Sequence, residues 1–289
     1  MVTTPTVGFF GVNIGPGAAP DGARQLAVLA EELGYDSIWA PEHVVLPDPR
    51  VRPSPMAPEE PIMDPLITLA AVAGVTSTVK LATGIVILPQ RNPLVLSKEL
   101  TSLDVLSSGR LLFGVGVGYL EPEMSAIGVP MRGRGARTDE YLDAMHSLWR
   151  DDKPRFSGEY VSFAGVDARP RPVNGTVPIV IGGHSAGAHR RAARYHGWYG
   201  FALDRASTAE QIESLRTHLE GAGRELSDLE ISVSPGERLD RQVVADYAGL
   251  GVDRLVVVPP RKLWRPEAAL AEMTDFVRAN TPAELGLVA

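Results

Sequence analysis

Two apolar runs separated by a helical pattern stand out in the N-terminal half of the chain. The first occupies residues 79–89 and the second residues 111–119, with a segment opened by Asn92 between them. Neither run has a polar side, which predicts two strands buried on both faces, joined by a crossover helix. Ligands of such βαβ units bind beyond the carboxyl ends of the strands. The sequence therefore places its chemistry at residues 84–89 and 114–119.

Further strand patterns, bounded by turn residues, alternate with helical patterns along the rest of the chain. Asp21 and Gly34 are predicted to cap and to end the first helix. Parallel strands in regular alternation with helices fit a closed (β/α)8 barrel, an α/β fold, better than an open doubly wound sheet. We expect residues 1–289 to form a single TIM-barrel domain. The eight predicted strands begin near residues 7, 36, 80, 111, 179, 198, 229 and 254.

Three segments interrupt this alternation and are predicted to be insertions or connections. Residues 46–61 contain too many prolines for a helix or an inner strand, so they predict a functional loop or lid after the second strand. Residues 120–133 are predicted to be an irregular connection that leads to a helix beginning at Arg134. Residues 155–163 predict a small hairpin.

Composition excludes several classes of function. The net charge of −7 argues against binding to nucleic acid or to an anionic membrane. The absence of cysteine excludes disulfides, thiolate zinc sites, iron–sulfur clusters and a cysteine nucleophile. The histidines lack the spacing of a metal-binding pair, so no metal is predicted. Because no apolar run could span a bilayer and the N-terminus lacks signal-peptide features, we expect a cytoplasmic protein.

Glycines mark two of the predicted strand ends. Gly114, Gly116 and Gly118 resemble part of a dinucleotide-binding fingerprint, but Tyr119 stands where its third glycine belongs. The alternative is that they let a flat ligand or a neighbouring strand approach the backbone closely. The turn at residues 182–185 precedes a helix, where free N–H groups favour an anion such as phosphate. Its alternative is a simple glycine turn with a serine cap.

Two groups of side chains are candidates for direct contact with a ligand. His43 follows the second strand beside Glu42, and an imidazole at a strand end can transfer protons or bind a cofactor. The alternative is a histidine whose ring only holds the following loop. Arg132, Arg134 and Arg137 precede a predicted helix, where they are either phosphate ligands or part of a solvated face.

Four stretches of the sequence resemble one known family. They are DSIWAPEH at residues 36–43, LATGIVILPQRNP at 81–93, LDVLSSGRLLFGVGVG at 103–118 and IGGHS at 181–185. These stretches resemble the bacterial luciferase-like superfamily, and within it the oxidoreductases that use the deazaflavin coenzyme F420. The resemblance extends from Val7 to about Ala202.

This resemblance implies a TIM barrel that holds F420, or alternatively FMN, at its C-terminal face. It implies hydride transfer between F420 and a small organic substrate. The alternatives are a monooxygenase that uses reduced FMN and oxygen, and a flavin-binding protein without turnover. His43 is the implied catalytic residue, and a non-prolyl cis peptide is expected between Gly84 and Ile85. The implied cofactor-binding residues are Thr83, Gly84 and Ile85 at the ring, Gly116, Val117, Gly118, Tyr119 and Arg134 along the tail, and Gly182, Gly183, His184 and Ser185 at the phosphate.

The resemblance also implies a homodimer that packs through helices beside the early strands. Leu66, Leu69, Leu94 and Leu100 are the apolar residues predicted to supply that surface. The alternative is that these leucines belong to the core. No other macromolecular partner is expected.

Overall fold

Eight parallel strands close into a barrel in the structure of the protein, a computed structural model that describes residues 4–287. Each strand pairs with the next along the chain, and the last returns to the first through the register Thr6 to Arg254. The predicted (β/α)8 barrel is therefore confirmed. The strands are β1 Thr6–Phe10, β2 Ser37–Ala40, β3 Lys80–Thr83, β4 Leu111–Gly116, β5 Ile179–Gly182, β6 Gly197–Leu203, β7 Glu230–Pro235 and β8 Arg254–Val257.

Helices surround the barrel between its strands. Asp64 and Asn92 cap two of them, because each side-chain oxygen accepts hydrogen bonds from two N–H groups of the first turn. A proline follows each cap at the first helical position, where its missing N–H costs nothing. The helices are α1 Gly22–Glu32, α2 Pro65–Ala73, α3 Pro93–Leu106, α4 Glu121–Ala126, α5 Arg134–Arg150, α6 Ala186–Ala192, α7 Arg205–Gly221, α8 Arg241–Gly249 and α9 Leu270–Ala279.

Three local predictions about helices are wrong. Residues 120–133 are not irregular throughout, because α4 lies inside them with Met124 fully buried. Asp21 stands at the N-terminus of α1 but does not cap it. Its φ of 61° lies outside the extended conformation of an N-cap, and its carboxylate pairs with Arg24 instead.

The leucines predicted to form a dimer surface are the third error. Leu66, Leu69 and Leu100 are only 7%, 0% and 0% exposed and pack into the core, and Leu94 is half-buried. Helix α2 is apolar on most sides, and α3 buries polar residues such as Ser97 and Asp104, so the sequence pattern does not distinguish their inner and outer faces. Their outer faces carry other apolar residues, Ile67, Val95 and Leu106, at 74%, 56% and 65% exposure.

The loop and hairpin predictions agree with the structure. Residues 46–61 contain no helix or strand, and the backbone next to them is fastened to the segment after β1 through a bridge between Ile14 and Ile62. Short antiparallel strands, Phe156–Ser157 and Ser162–Phe163, form the predicted hairpin. A further strand, Val86–Ile87, continues β3 beyond residue 85 and pairs with β4.

Both faces of the barrel strands are buried, as the absence of a polar side predicts. Along β8, Leu255 and Val257 pack against the surrounding helices, whereas Val256 points into the barrel. Aromatic rings fill much of the interior, and the Trp39 and Tyr199 rings lie 4.7 Å apart. The interior is therefore packed below the carboxyl ends of the strands, and a cavity opens above this layer.

Arg254 closes the opposite, N-terminal end of the barrel. Its side chain is 2% exposed and donates to Asp36 at 2.7 Å, to Ser232 at 3.0 Å and to Glu230. Burial raises the pKa values of both carboxyl groups, but Arg254 more than offsets this and lowers both below their usual range. The two carboxylates are therefore ionised at neutral pH and depend on this guanidinium.

We expect Arg254→Met to destabilise the barrel strongly, because it removes the buried cation that Asp36 and Glu230 share and leaves Asp36 with Lys80 alone. Removing one partner of a buried ion pair costs about 3–5 kcal/mol. The measurement is the free energy of unfolding in urea. The control is Arg265→Met, since Arg265 is exposed and 3.9 Å from its nearest carboxylate, and its loss should change stability by less than about 0.5 kcal/mol.

The same variant has an expected pH dependence. A carboxylate with a lowered pKa in the folded state stabilises the fold above its unfolded pKa and loses this contribution as the pH falls through the folded pKa. The unfolded values are 3.8 for Asp36 and 4.5 for Glu230. The difference in free energy of unfolding between wild type and Arg254→Met should therefore have its full size at pH 7 and become smaller below about pH 4. A constant difference across this range would contradict the assigned role.

Candidate active site

A cavity of about 520 Å³ opens at the carboxyl ends of the barrel strands. Residues that follow β2, β3, β4 and β5 meet there, although they lie far apart in the sequence. This is the edge of the sheet where the chemistry is predicted. The predicted site residues that line the cavity are His43, Gly84, Ile85, Gly116, Val117, Gly118, Tyr119, Gly182, Gly183 and His184.

The other three predicted cofactor-binding residues lie behind this lining. Thr83 is fully buried, and its hydroxyl donates to the Gly114 carbonyl at 2.6 Å. Arg134 donates to the Gly118 carbonyl at 3.0 Å and thus holds the backbone of the loop after β4. Ser185 caps α6 by accepting the Ala188 N–H at 3.2 Å. Their direct contact with a cofactor stays a prediction.

The end of β3 forms the floor of the cavity. The peptide between Gly84 and Ile85 is cis, which confirms the prediction. A Cβ atom at Gly114 would overlap the Thr83 carbonyl oxygen, and one at Gly116 would overlap the Ile85 side chain. The glycines of β4 therefore let the neighbouring strand approach closely, which favours the second of the two interpretations given for them.

A buried carboxylate holds His43 in place. Glu123 in α4 accepts from His43 Nδ1 at 2.8 Å and from the Val44 N–H at 2.6 Å. The side chains of His43 and Glu123 are 8% and 0% exposed. Because an ionised carboxylate only accepts, the proton of a neutral His43 ring lies on Nδ1. Nε2 is then the free base, 3.4 Å from the Tyr119 hydroxyl.

Sequence reasoning noted Glu42 beside His43 in the chain and missed the carboxylate that His43 contacts. Glu42, its neighbour in the chain, accepts from the Ile87 N–H at 2.6 Å and from Arg91 at 2.9 Å. Arg91 also reaches Asp64 at 2.7 Å, so this network ties the end of β2 to the start of α2. The true partner, Glu123, lies 80 residues from His43. An acidic first turn after Leu120 is the signal for α4 that could have pointed to it.

Tyr119 places a phenol beside the imidazole. Burial raises the pKa of Tyr119 to about 12, and the negative charge of Glu123 adds to the effect. The phenol therefore remains protonated at neutral pH and is a hydrogen-bond donor at the cavity wall. One line of polar groups leads from the buried helix α4 to the cavity. It runs from Glu123 through His43 to Tyr119.

The turn after β5 offers backbone donors to the cavity. Within residues 4–287, the N–H groups of Gly183, His184 and Ser185 donate to no protein acceptor. Gly183 has φ of +116°, and its carbonyl accepts from Trp198 Nε1 at 2.8 Å, which fixes the turn. His184 Nε2 accepts from the Phe201 N–H at 3.2 Å, and partial burial lowers the pKa of His184. The turn is thus neutral in charge but rich in donors.

Metal sites and membrane-spanning helices are both absent from the part of the chain that the structure describes. No group of histidine and acidic side chains there has the arrangement of a metal site. None of the helices within residues 4–287 has the length and apolar character needed to cross a membrane.

Comparisons with known proteins agree with this architecture. A family model described as luciferase-like monooxygenase matches residues 3–236. An uncharacterised protein of Mycobacterium tuberculosis is 30% identical over 262 residues, 85% of this chain and 90% of the relative. The F420-dependent glucose-6-phosphate dehydrogenase of Kineococcus radiotolerans is 28% identical over 279 residues, 94% of this chain and 76% of the relative. A solved Baeyer–Villiger monooxygenase from Pseudomonas putida, in complex with FMN, has a TM-score of 0.75 at 16% identity, covering 99% of each chain.

The fit between Gly116 and Ile85 generates a testable prediction. We expect Gly116→Ala to lower the free energy of unfolding by about 1–3 kcal/mol, because the new methyl group overlaps Ile85 Cδ1. Ile85→Val removes that atom, so the double variant should be about as stable as Ile85→Val alone. Gly249→Ala, with open space around its Cβ position, is the control and should be neutral or stabilising. Additive losses in the double variant would show that the two residues do not compete for one space.

Proposed function

Because the chain belongs to the luciferase-like monooxygenase family, we propose that it is an oxidoreductase that transfers a hydride between coenzyme F420 and a small organic substrate. The observation that carries this proposal is the His43 imidazole, held by Glu123 with its free nitrogen beside the cavity. The F420-dependent dehydrogenase of Kineococcus radiotolerans, which matches along nearly the whole chain, supports the choice of coenzyme.

The residues around the cavity fit a flat ring with a phosphorylated chain. The backbone of Gly116 and Gly118 lines one wall of the cavity, and Ile85 offers an apolar floor. The free N–H groups of residues 183–185 suit a phosphate, although α6 behind them has only seven residues and contributes a small dipole. Arg134, which holds the Gly118 carbonyl, is the second candidate for contact with the phosphate.

When bound, the coenzyme supplies the carbon that accepts or donates the hydride. The chain supplies the proton transfer. In the direction of alcohol oxidation, His43 Nε2 takes the hydroxyl proton of the substrate, and Glu123 stabilises the imidazolium through Nδ1. In the reverse direction the same imidazolium returns a proton to the carbonyl oxygen. Tyr119 donates a hydrogen bond to that oxygen in either direction.

A monooxygenase that uses reduced FMN and oxygen is the second candidate. The similarity in fold to a monooxygenase solved with FMN favours it. The same N–H groups and the same floor suit the FMN phosphate and ring. The two candidate functions therefore differ in which ring system the cavity binds more tightly, the deazaflavin of F420 or the flavin of FMN.

A titration against both cofactors tests the proposal. We expect F420 to bind at least about tenfold more tightly than FMN, measured by the change in cofactor fluorescence at equilibrium. The opposite preference would support the monooxygenase. Tight binding of either cofactor without any turnover of alcohols, carbonyl compounds or oxygen would indicate a flavin-binding protein.

A variant of the turn tests where the phosphate lies. Gly183→Val fills the space beside the free N–H groups and should weaken binding of the preferred cofactor at least about tenfold while the fold remains intact. Gly175→Val is the matched control, because Gly175 also has a positive φ but open surroundings. If both variants bind equally well, the phosphate lies elsewhere, and Arg134 is tested next.

We also propose that the chain forms a homodimer through the outer faces of α2 and α3. These adjacent helices expose Ile67, Val95 and Leu106, apolar residues that a second copy would cover. The wild type is expected to sediment as a dimer at micromolar concentration, and Ile67→Glu combined with Leu106→Glu as a monomer. Val166→Glu, at another exposed valine, should leave the dimer intact. A monomeric wild type would contradict the proposal.

A further inference from the structure

One part of the cavity lining is entirely apolar, and we call it the apolar wall. Its rings lie against each other: Phe10 is 5.2 Å from Phe201 and 6.3 Å from Trp264. Met56 and Trp264 are 2% and 5% exposed, so they are packed into the wall rather than free in solution. The apolar wall consists of Phe10, Ile14, Met56, Ile62, Phe201 and Trp264.

Apart from His43, whose charge would be paired with the Glu123 carboxylate, the rest of the lining supplies no positive charge. Neither lysine nor arginine lines the cavity. The one lining carboxylate, Glu42, is already bound by Arg91 and the Ile87 N–H. His184 uses Nε2 to accept a backbone N–H, and its lowered pKa keeps it neutral at pH 7. An anionic substrate would therefore lose its hydration without gaining a cation.

Two arginines close to the wall in the chain, Arg50 and Arg261, are engaged in building it. Arg261 pairs with Glu60 at 2.8 Å and lies 4.3 Å over the Trp264 ring. Glu60 also accepts the Ala57 N–H at 2.8 Å. Arg50 donates to the carbonyls of residues 54 and 55 in the same loop. These contacts fix the loop that carries Met56 beside Trp264, so the wall is formed before any substrate binds.

We propose that this wall selects an uncharged substrate with a hydrocarbon body and a single alcohol or carbonyl oxygen, and that it excludes phosphate esters and other anions. The inference rests on the proposed function, which assigns the N–H groups of residues 183–185 to the cofactor and the substrate oxygen to His43. The hydrocarbon body packs against the apolar wall, where removal of its surface from water favours binding. The polar edge of the same cavity then receives only the oxygen.

The test compares two probes that share one hydrocarbon body: 4-tert-butylcyclohexanol and its phosphate monoester. Both are titrated by calorimetry into protein saturated with its preferred cofactor. The alcohol is expected to bind at least about thirtyfold more tightly than the ester, because the buried dianion has no partner. Equal or tighter binding of the ester would overturn the inference.

Two variants of the wall make the result specific. Met56→Ala should weaken alcohol binding at least about fivefold, through loss of packing, with unchanged affinity for the cofactor. Phe201→Arg should weaken alcohol binding and strengthen ester binding, since it places a cation in the wall. Phe156→Arg, in the hairpin outside the cavity, is the matched control and should alter neither.

Titrations of the protein without cofactor separate this inference from the proposed function. Alcohol binding that still depends on Met56 and Phe201, in a protein that binds neither F420 nor FMN, would refute the proposed function and leave the apolar wall established. Cofactor binding with alcohol affinity unaffected by both variants would refute the apolar wall alone.

Discussion

The hydrogen bond between the buried carboxylate of Glu123 and His43 is the interaction on which the site depends. An ionised carboxylate with no exposed surface is stable only if it is fully hydrogen-bonded, and the His43 ring and the Val44 N–H supply both partners. The bond therefore ties the end of β2 to α4, fixes the tautomer of the ring, and leaves its second nitrogen at the cavity. Tyr119, from the loop between β4 and α4, completes the line.

The N-terminal end of the barrel contributes to stability, and the C-terminal end forms the ligand cavity. At the N-terminal end, Arg254 compensates two buried carboxylates, so this end contributes to stability. At the C-terminal end, the packed interior stops at Ile85, and the strand ends diverge around a cavity. The loop after β2 contributes apolar side chains to the lining of this cavity, whereas the turn after β5 offers only backbone hydrogen-bond donors. A ligand is thus held between an apolar surface and a polar edge.

The sequence predicted the barrel because each buried strand is a short apolar run bounded by turn residues, and this pattern is local. For the same reason it predicted which strand ends meet, and His43 and Gly183 do lie at one cavity. It could not predict Glu123, because α4 is a single short helix with little periodicity and the contact with His43 joins residues distant in the chain. It also misplaced Leu69 and Leu100, because α2 is apolar on most sides and α3 buries polar residues while it exposes Val95 and Leu106, so neither pattern reveals which face is buried. Contacts between distant residues, and not local propensity, decide these features.

The most direct test of this account is a double-mutant cycle between His43 and Glu123. The variants are His43→Ala, Glu123→Gln and the double variant, and the measured quantity is kcat/KM for the alcohol that the wild type oxidises fastest, with melting temperature and cofactor affinity alongside. Each single variant is expected to lose about 10²–10⁴-fold in kcat/KM. The kcat/KM of the double variant is expected to fall no further than that of the worse single variant, and cofactor affinity is expected to stay unchanged. A His43→Ala protein that melts far earlier, while its folded fraction reacts at the wild-type rate, would contradict the account and make this histidine a structural residue.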